Sequence, residues 1–455
     1  MRVRPFVLPA LVILALTALA GTAAAQQAPP APTVDSPHEL DKLKSSCGAF
    51  AVVDCALELL TGQPLHIAVG SLAPQNGFGA GLAFVGHKTT DAWRINWDAD
   101  GLASTKGWRV GWYGRFVHAA ITPPGVHFGT GGQPASNPTE LPEHLVVSIT
   151  AQMESLDNVG FFGIGPASPA DGEVFFGMRE AIVGAGVVKP FMSFWHPSLY
   201  GEVNGRFVKT TAPATLPELV DSHAFLQTTE GVRVRPTFAG SLVHLKYDVA
   251  LHDYVAPGDS TLTFHQLTVD LTHDIALHST TMTAPPSDEN GPDECTRGTS
   301  PAHPSDCAIT RNVEGTVELR AFMSTAFVPG GHAVPFYFQP TLGGSDINGT
   351  MALAGYQDYR FRAPNLMFVR ASIEHSIFDL PVGVMALVDA GRVALTRGDL
   401  FSMPWRYSVA AGFTIRAGGI PAVQILYARG GTEGGHAIFV VSTTLLGGSS
   451  RPSMY

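Results

Sequence analysis

The residues that could carry out chemistry are spread along this sequence in patterns that fit no common active site. The 17 histidines are dispersed, and Ile373-Glu374-His375 lacks the second histidine that a zinc-binding helix presents one turn away. The glycine run from Gly77 to Gly81 opens an apolar alternation, which favours the start of a strand over a dinucleotide site. No nucleophile elbow or phosphate loop occurs in the sequence. We therefore expect a protein that is not an enzyme and that holds no cofactor or metal.

Four cysteines form two pairs that are close in sequence, Cys47 with Cys55 and Cys295 with Cys307. In an exported chain an even set of cysteines indicates disulfide bonds. Three pairings are possible, and local pairing is favoured. Cys47 and Cys55 need a turn between them, because one continuous helix would hold them roughly 12 Å apart. Metal binding by these cysteines is a weaker alternative, since no Cys-x-x-Cys motif or flanking histidine pair is present.

The N-terminus has the layout of a secretory signal peptide. Two arginines precede an apolar stretch from Phe6 to Ala20, and a run of small residues ends at Ala25. We predict a signal peptide over residues 1–25. The alternative is a membrane anchor, but the apolar core is short of the roughly 20 residues that a spanning helix needs. Residues 26–74 are predicted to form a Pro-rich tail with a short helix at about residues 49–60.

The rest of the chain alternates apolar and polar residues with the period of a β-strand. In one such segment, Val369, Ala371 and Ile373 alternate with Arg370, Ser372 and Glu374. The same pattern recurs in the segments 108–116, 199–207, 243–249, 313–323 and 405–415. Charges kept on one face over the whole chain favour a transmembrane barrel with a polar lumen over a pair of secreted β-sandwiches. The apolar parity slips near His265, which predicts a β-bulge there.

Composition narrows the possible partners. With 49 glycines and only 15% charged residues, the chain has the make-up of alternating strands joined by Gly-rich turns. The formal net charge is −10, with 28 Lys and Arg against 38 Asp and Glu and no basic block, so nucleic acid is excluded as a partner. After the N-terminal segment no apolar run of about 18 residues remains, so a bundle of membrane helices is excluded as well.

One ordered set of motifs is more specific than any single strand. Phe336-Tyr337-Phe338 is followed by Leu342-Gly343-Gly344, by Leu353-Ala354-Gly355-Tyr356, by Tyr359-Arg360-Phe361-Arg362, and then by Val388-Asp389-Ala390-Gly391-Arg392. In this order and spacing the segment resembles the C-terminal barrel of the BamA/TamA-like bacterial surface antigen superfamily. The resemblance covers about residues 75–444. It implies an all-β, antiparallel transmembrane barrel of about sixteen strands, where alternation alone distinguishes about fourteen.

The resemblance also implies a loop, at about residues 328–362, that folds back into the barrel. In the family an arginine at the loop tip contacts an acidic residue of the barrel wall. Here Ala354 replaces that arginine, whereas the acidic position is kept as Asp389. An unpaired carboxylate in a narrow lumen would be costly, so we expect Arg360 or Arg362 to reach Asp389, with Arg392 or water as the alternative. Gly355 and Tyr356 complete the predicted contact between the loop and the wall.

The function implied by the resemblance is insertion or translocation of proteins, or lipid handling, at the bacterial outer membrane. The alternatives are a loop-plugged pore for small solutes and, less favoured, an outer-membrane enzyme. The expected partners are outer-membrane lipids, unfolded barrel proteins or secreted clients, and a second copy of the chain. We expect two departures from the resembled superfamily: too few residues precede the first predicted strand for a periplasmic POTRA domain, and a polar tail follows the last one.

Overall fold

The described part of the chain is almost entirely β-structure. The computed structural model describes residues 65–90, 92–118, 145–191, 195–238, 242–284, 308–377, 382–417, 420–431 and 433–441. The predicted signal peptide, the predicted helix and all four cysteines lie outside these residues. No helix among the described residues is long and apolar enough to span a membrane.

The strands follow in chain order. They are β1 (Leu65–Ser71), β2 (Phe78–Thr89), β3 (Trp93–Ser104), β4 (Gly107–His118), β5 (Val146–Phe161), β6 (Val174–Pro190), β7 (Pro197–Thr211), β8 (Ser222–Val234), β9 (Thr237–Phe238), β10 (Val243–Val255), β11 (Phe264–Ala284), β12 (Ala308–Phe327), β13 (Thr341–Leu342), β14 (Phe361–Arg362), β15 (Asn365–Ser376), β16 (Val382–Ala394), β17 (Arg406–Ala417), β18 (Ile420–Gly430) and β19 (Gly435–Val441). Short 3-10 turns lie at Pro217–Leu219, Ser260–Leu262, Phe336–Phe338 and Asp399–Phe401.

Sixteen long strands of the described chain form one antiparallel sheet in which each pairs with the next in sequence, from β1 with β2 to β18 with β19. The short β9 extends the pairing of β8 onto β10, and β13 pairs with β14 as a separate ribbon. This confirms the predicted all-β fold and the strand count that the resemblance implied. Sequential antiparallel pairing of this kind is the up-and-down order of a barrel.

The sheet curls around the segment between β12 and β15. Within this segment Tyr359 donates a hydrogen bond to the carbonyl of Pro74, which follows β1, at 3.2 Å. Tyr337 donates to Asp221, between β7 and β8, at 2.9 Å, and Arg360 pairs with Glu433, between β18 and β19, at 2.8 Å. One segment therefore reaches turns at the beginning, the middle and the end of the sheet.

The two faces of the sheet have the reverse of the polarity found in a water-soluble protein. Outward side chains are large, apolar and exposed, such as Val183 (66%), Phe413 (59%) and Tyr427 (63%). Inward side chains include fully buried charged groups, among them Arg206 and Asp389. An apolar outer face with a charged interior is stable only when lipid surrounds it, so the strands form a transmembrane barrel.

Two local predictions are corrected by the structure. The first strand is β1 at Leu65–Ser71, inside the segment predicted to be a tail, and all seven of its residues pair with β2. No bulge lies near His265, because pairing of β11 with β10 runs without a shift from Phe264 onward. The parity changes there because Phe264 faces the lumen, where it is fully buried. The register shifts of β11 lie instead at Ala276, His278 and Ser279.

Candidate functional site: the loop inside the barrel

The loop of residues 328–364, which we call the in-folded loop, joins β12 to β15 and fills the lumen at one end of the barrel. The resemblance predicts its bounds as about residues 328–362. Its first part is anchored by aromatic side chains. The turn Phe336–Phe338 places Tyr337 and Phe338 at 1% and 0% exposure. The Phe338 ring lies 5.0 Å from that of Phe225 and 4.8 Å from that of Tyr254.

This aromatic cluster is joined to the charged lining of the lumen. Tyr254 accepts a hydrogen bond from Gln227 at 3.1 Å, and Gln227 in turn accepts one from Arg206. Arg206 pairs with Glu180 at 2.8 Å, and both side chains are almost completely buried. Because each buried polar group has a partner, the network fixes the wall residues against which the loop packs.

The middle of the in-folded loop has its own scaffold. The β13–β14 ribbon closes it, and Gly343 and Gly344 have φ values of 112° and 57°, which favour glycine. The carboxylate of Asp358 accepts the backbone N–H of Ser345 at 2.7 Å. Burial raises the pKa of Asp358, whereas this hydrogen bond lowers it. Similarly, the Asp346 side chain accepts the backbone N–H of Thr350 at 2.7 Å.

The loop tip, residues 353–356, rests on the inner wall formed by β16, β17 and β18. The backbone N–H of Ala354 donates to Oδ2 of Asp389 at 3.0 Å, and Asp389 is 0% exposed. A Cβ on Gly355 would overlap the backbone of Arg429 and the following glycine, so only glycine allows this close approach. The Tyr356 ring packs on the same stretch of β18. The tip thus reaches Asp389 through its backbone and not through a side chain.

The cation that neutralises Asp389 is Arg370. Its Nε and Nη2 donate to the two carboxylate oxygens at 2.7 and 3.0 Å. Arg370 and Asp389 are register partners on β15 and β16, which places them side by side in the lumen. The predicted pairing of Asp389 with Arg360 or Arg362 is therefore wrong, and so is the alternative with Arg392. Arg392 donates instead to the carbonyl of Phe401 at 2.9 Å.

Arg360 and Arg362 attach the in-folded loop to other parts of the barrel. Arg360 pairs with Glu433 at 2.8 Å and donates to the side chain and carbonyl of Ser168 at 2.9 Å. Arg362 donates to the carbonyl of Phe336 at 2.8 Å, which ties the end of the loop to its beginning. Both arginines are about 4% exposed. Both arginines hold the in-folded loop in place. Their partners are Glu433, Ser168 and the carbonyl of Phe336, and not Asp389.

Sequence reasoning missed Arg370, Asp221 and Glu433. Arg370 carried a signal, because the alternation of β15 places it on the charged face, but its pairing depends on the register between β15 and β16. Asp221 and Glu433 lie in turns far from the loop in sequence. No local sequence pattern relates these turns to the loop, because they come into contact only when the sheet curls around it.

A small polar pocket of about 300 Å³ remains beside the loop. Its lining includes Asp270 and Arg320, which are joined by two hydrogen bonds at 3.0 and 2.7 Å, and Thr341, Asp346 and Phe368. No group of three or more His, Cys, Asp or Glu in the described ranges is placed to hold a metal ion.

The sequence matches no protein-family model and no curated protein. Solved structures do match the fold. CdiB from Escherichia coli superposes with a TM-score of 0.50 at 13% identity, over 83% of this chain and 62% of its own. BamA from Haemophilus ducreyi lacking POTRA domains 1–3 gives 0.49 at 12% identity, over 82% and 68%. CdiB from Acinetobacter baumannii gives 0.45 at 9% identity, over 82% and 58%.

At this level of identity the likeness to CdiB from E. coli shows the fold alone, and that fold is the β-barrel that the sequence predicted. This chain spans less than two thirds of the length of either CdiB chain.

Proposed function

We propose that this protein inserts or translocates other proteins at the bacterial outer membrane through a barrel whose lumen is closed by its own loop. The observation that carries the proposal is the seat of the loop tip on Asp389. A loop held by a buried ion pair, by Arg360 and by an aromatic cluster is a built part of the barrel and not a flexible lid. A permanently open channel is disfavoured by such a loop, whereas a barrel that acts on clients at its wall is compatible with it.

The ends of the sheet support the same role. β1 and β19 are the first and last strands of the described sheet, and their described partners are β2 and β18. A strand edge with free backbone groups can template an added strand. Such an edge offers a client strand a place to pair without any chemical step. The proposed partners are unfolded barrel proteins or secreted clients, together with membrane lipids.

The direct test is the folding of a client in liposomes. The purified protein would be reconstituted at fixed lipid composition, and a urea-unfolded outer-membrane barrel would be added and followed by its heat-modifiable mobility on gels. We expect the client to fold several times faster than in liposomes that carry the same mass of an unrelated porin. Equal rates in the two preparations would contradict the insertion role.

A gated pore for small solutes is the second candidate. The observation in its favour is the polar pocket of about 300 Å³ beside the loop, which contains the Asp270–Arg320 pair and Asp346. A displaced loop would open the lumen next to these charges. The two candidates differ in the conductance of the wild-type barrel, which is low for a loop-closed insertion factor and switches between low and high for a gated pore.

A further inference from the structure

A row of cross-strand partners with two exposed cations at its centre crosses the outer wall near the end of the barrel that holds the loop. Cross-strand pairing aligns one residue from each of β4 to β8, in the order Trp108, Ser155, Arg179, Lys209 and Ser222. Arg179 lies between Met178 and Glu180, which face inward at 1% and 3% exposure. Arg179 and Lys209 are both exposed, and by strand alternation both point outward.

The two cations at the centre of this row oppose each other directly. Arg179 and Lys209 are register partners on β6 and β7, so their Cβ atoms lie about 5 Å apart. Like charges in this position destabilise a sheet. Within the described part of the chain, neither cation has an ion pair or a side-chain hydrogen bond. Two unpaired cations at a lipid boundary are costly unless an anion lies between them.

The next two rows toward the middle of the wall are apolar. Below the cations lie Val110, Met153, Ala181, Phe207 and Ala224, and below those lie Trp112, Ala151, Val183, Gly205 and Leu226. Met153 and Phe207 are 52% and 48% exposed, with the small Ala181 between them in register. The wall therefore presents a pair of cations above an apolar surface that is lower at Ala181 than at its neighbours. The cations match the charged headgroup of an anionic lipid, and the apolar surface matches its acyl chain.

We propose that Arg179 and Lys209 bind the phosphate headgroup of an anionic membrane lipid, whose acyl chain lies over Ala181 between Met153 and Phe207. A guanidinium forms two parallel hydrogen bonds to phosphate oxygens, and an ammonium supplies a second charge. Basic clusters at the membrane surface recognise anionic headgroups in this way. Trp108 at the end of the row is typical of a residue at the boundary between lipid and water. The site is independent of the proposed function in protein insertion.

Native mass spectrometry of the full chain tests the site. Protein in micelles that contain equal amounts of phosphatidylglycerol and phosphatidylcholine should retain phosphatidylglycerol at least fivefold more. The double variant Arg179→Gln with Lys209→Gln should lose that preference. Lys189→Gln is the matched control, because Lys189 is an exposed cation of the same β6 strand but is opposed by Leu199. Equal lipid retention by wild type and the double variant, or an equal loss in the control, would overturn the proposal.

Thermal unfolding is a second test, because the difference in Tm between wild type and Arg179→Gln should change sign with the lipid. In purely zwitterionic micelles Arg179→Gln removes a repulsion, so its Tm should equal or exceed that of the wild type. With phosphatidylglycerol present the order should reverse, because only the wild type gains a bound headgroup. Soluble glycerol phosphate is the further arm of this experiment. If it raised the wild-type Tm as much as the lipid does, the pair would bind a free phosphate ester and the lipid site would be wrong.

Discussion

At the residue scale, the central contact is a backbone N–H from the loop that reaches a carboxylate of the barrel wall. Asp389 has no exposure and is shared between the Ala354 N–H and the Arg370 guanidinium. Desolvating both charges is costly, and the geometry repays that cost only while both partners are present. The side chain of Ala354 takes no part in this contact, because only its backbone N–H donates to Asp389.

Replacement of Asp389 by Asn should destabilise the barrel by about 3–5 kcal/mol, because Arg370 would be left buried without its counter-ion. Denaturant unfolding in micelles measures this. The matched control is Asp270→Asn, since Asp270 also pairs with an arginine of the neighbouring strand but both side chains are 25–31% exposed. We expect that control to cost about 1 kcal/mol or less. Equal losses for the two variants would contradict the role of burial.

Double variants show whether Arg370 or Arg362 is the arginine that interacts with Asp389. Arg370→Ala combined with Asp389→Asn should be strongly non-additive, since the two side chains share one interaction. Arg362→Ala combined with Asp389→Asn should be additive within about 0.5 kcal/mol, because Arg362 bonds to the carbonyl of Phe336 instead. Strong coupling between Arg362 and Asp389 would restore the pairing that the sequence alone suggested.

The sequence was informative about which residues matter at this scale and less so about their partners. Asp389, Arg360 and Arg362 were nominated by motif, and all three hold or meet the loop. The pairing of Asp389 with Arg370 depends on a register that no single strand encodes. Glu433 and Ser168, the partners of Arg360, are brought to it only by closure of the barrel around the loop.

At the element scale, the in-folded loop packs with apolar side chains of the wall to form a hydrophobic core inside the barrel. Phe338 is fully buried among Phe225, Tyr254 and Phe264. Phe338→Ala should cost about 3–5 kcal/mol and should expose the loop to added protease. The control Phe401→Ala removes a ring that is 64% exposed and should change neither quantity. A loop that stays protease-resistant without the Phe338 ring would argue against the aromatic anchor.

The loop should also respond to pH through Asp358. Burial raises the pKa of its carboxyl in the folded state, so the stabilisation is full below the unfolded pKa and is lost as pH rises through the folded pKa. At pH 7 the charged form carries this penalty. Asp358→Asn should therefore make the loop more protease-resistant than wild type at pH 7, and the difference should shrink as the pH falls through the folded pKa toward the unfolded one. A variant that is weaker at both pH values would show that the hydrogen bond from Ser345 requires the charge.

Strand positions were largely predictable from alternation, because a barrel wall separates lipid from lumen residue by residue. The exceptions have physical causes. β1 was overlooked because its seven residues are too few and too small to alternate clearly, with Ala68 and Gly70 on the inward face. The change of parity near His265, from which a bulge was predicted, arises because Phe264 faces inward and packs against the in-folded loop. Both exceptions lie where a strand packs against the in-folded loop.

At the scale of the whole molecule, the barrel has two different surfaces. Its outer wall is apolar, with Arg179 and Lys209 exposed at one boundary. Its interior carries buried charged groups and holds the in-folded loop. The β-barrel fold was predictable from the strand period, and the in-folded loop from the order of its motifs. The contacts that hold the loop were not predictable, because they join it to turns that are distant in sequence.

Planar-bilayer conductance of the purified barrel tests the closed lumen most directly. Wild type would be measured beside a deletion of residues 349–358, which removes the loop tip and its contact with Asp389, and beside Asp389→Asn. We predict low conductance for wild type, more frequent openings for Asp389→Asn, and large stable steps for the deletion. Large stable steps in the wild-type barrel would contradict a lumen closed by the loop.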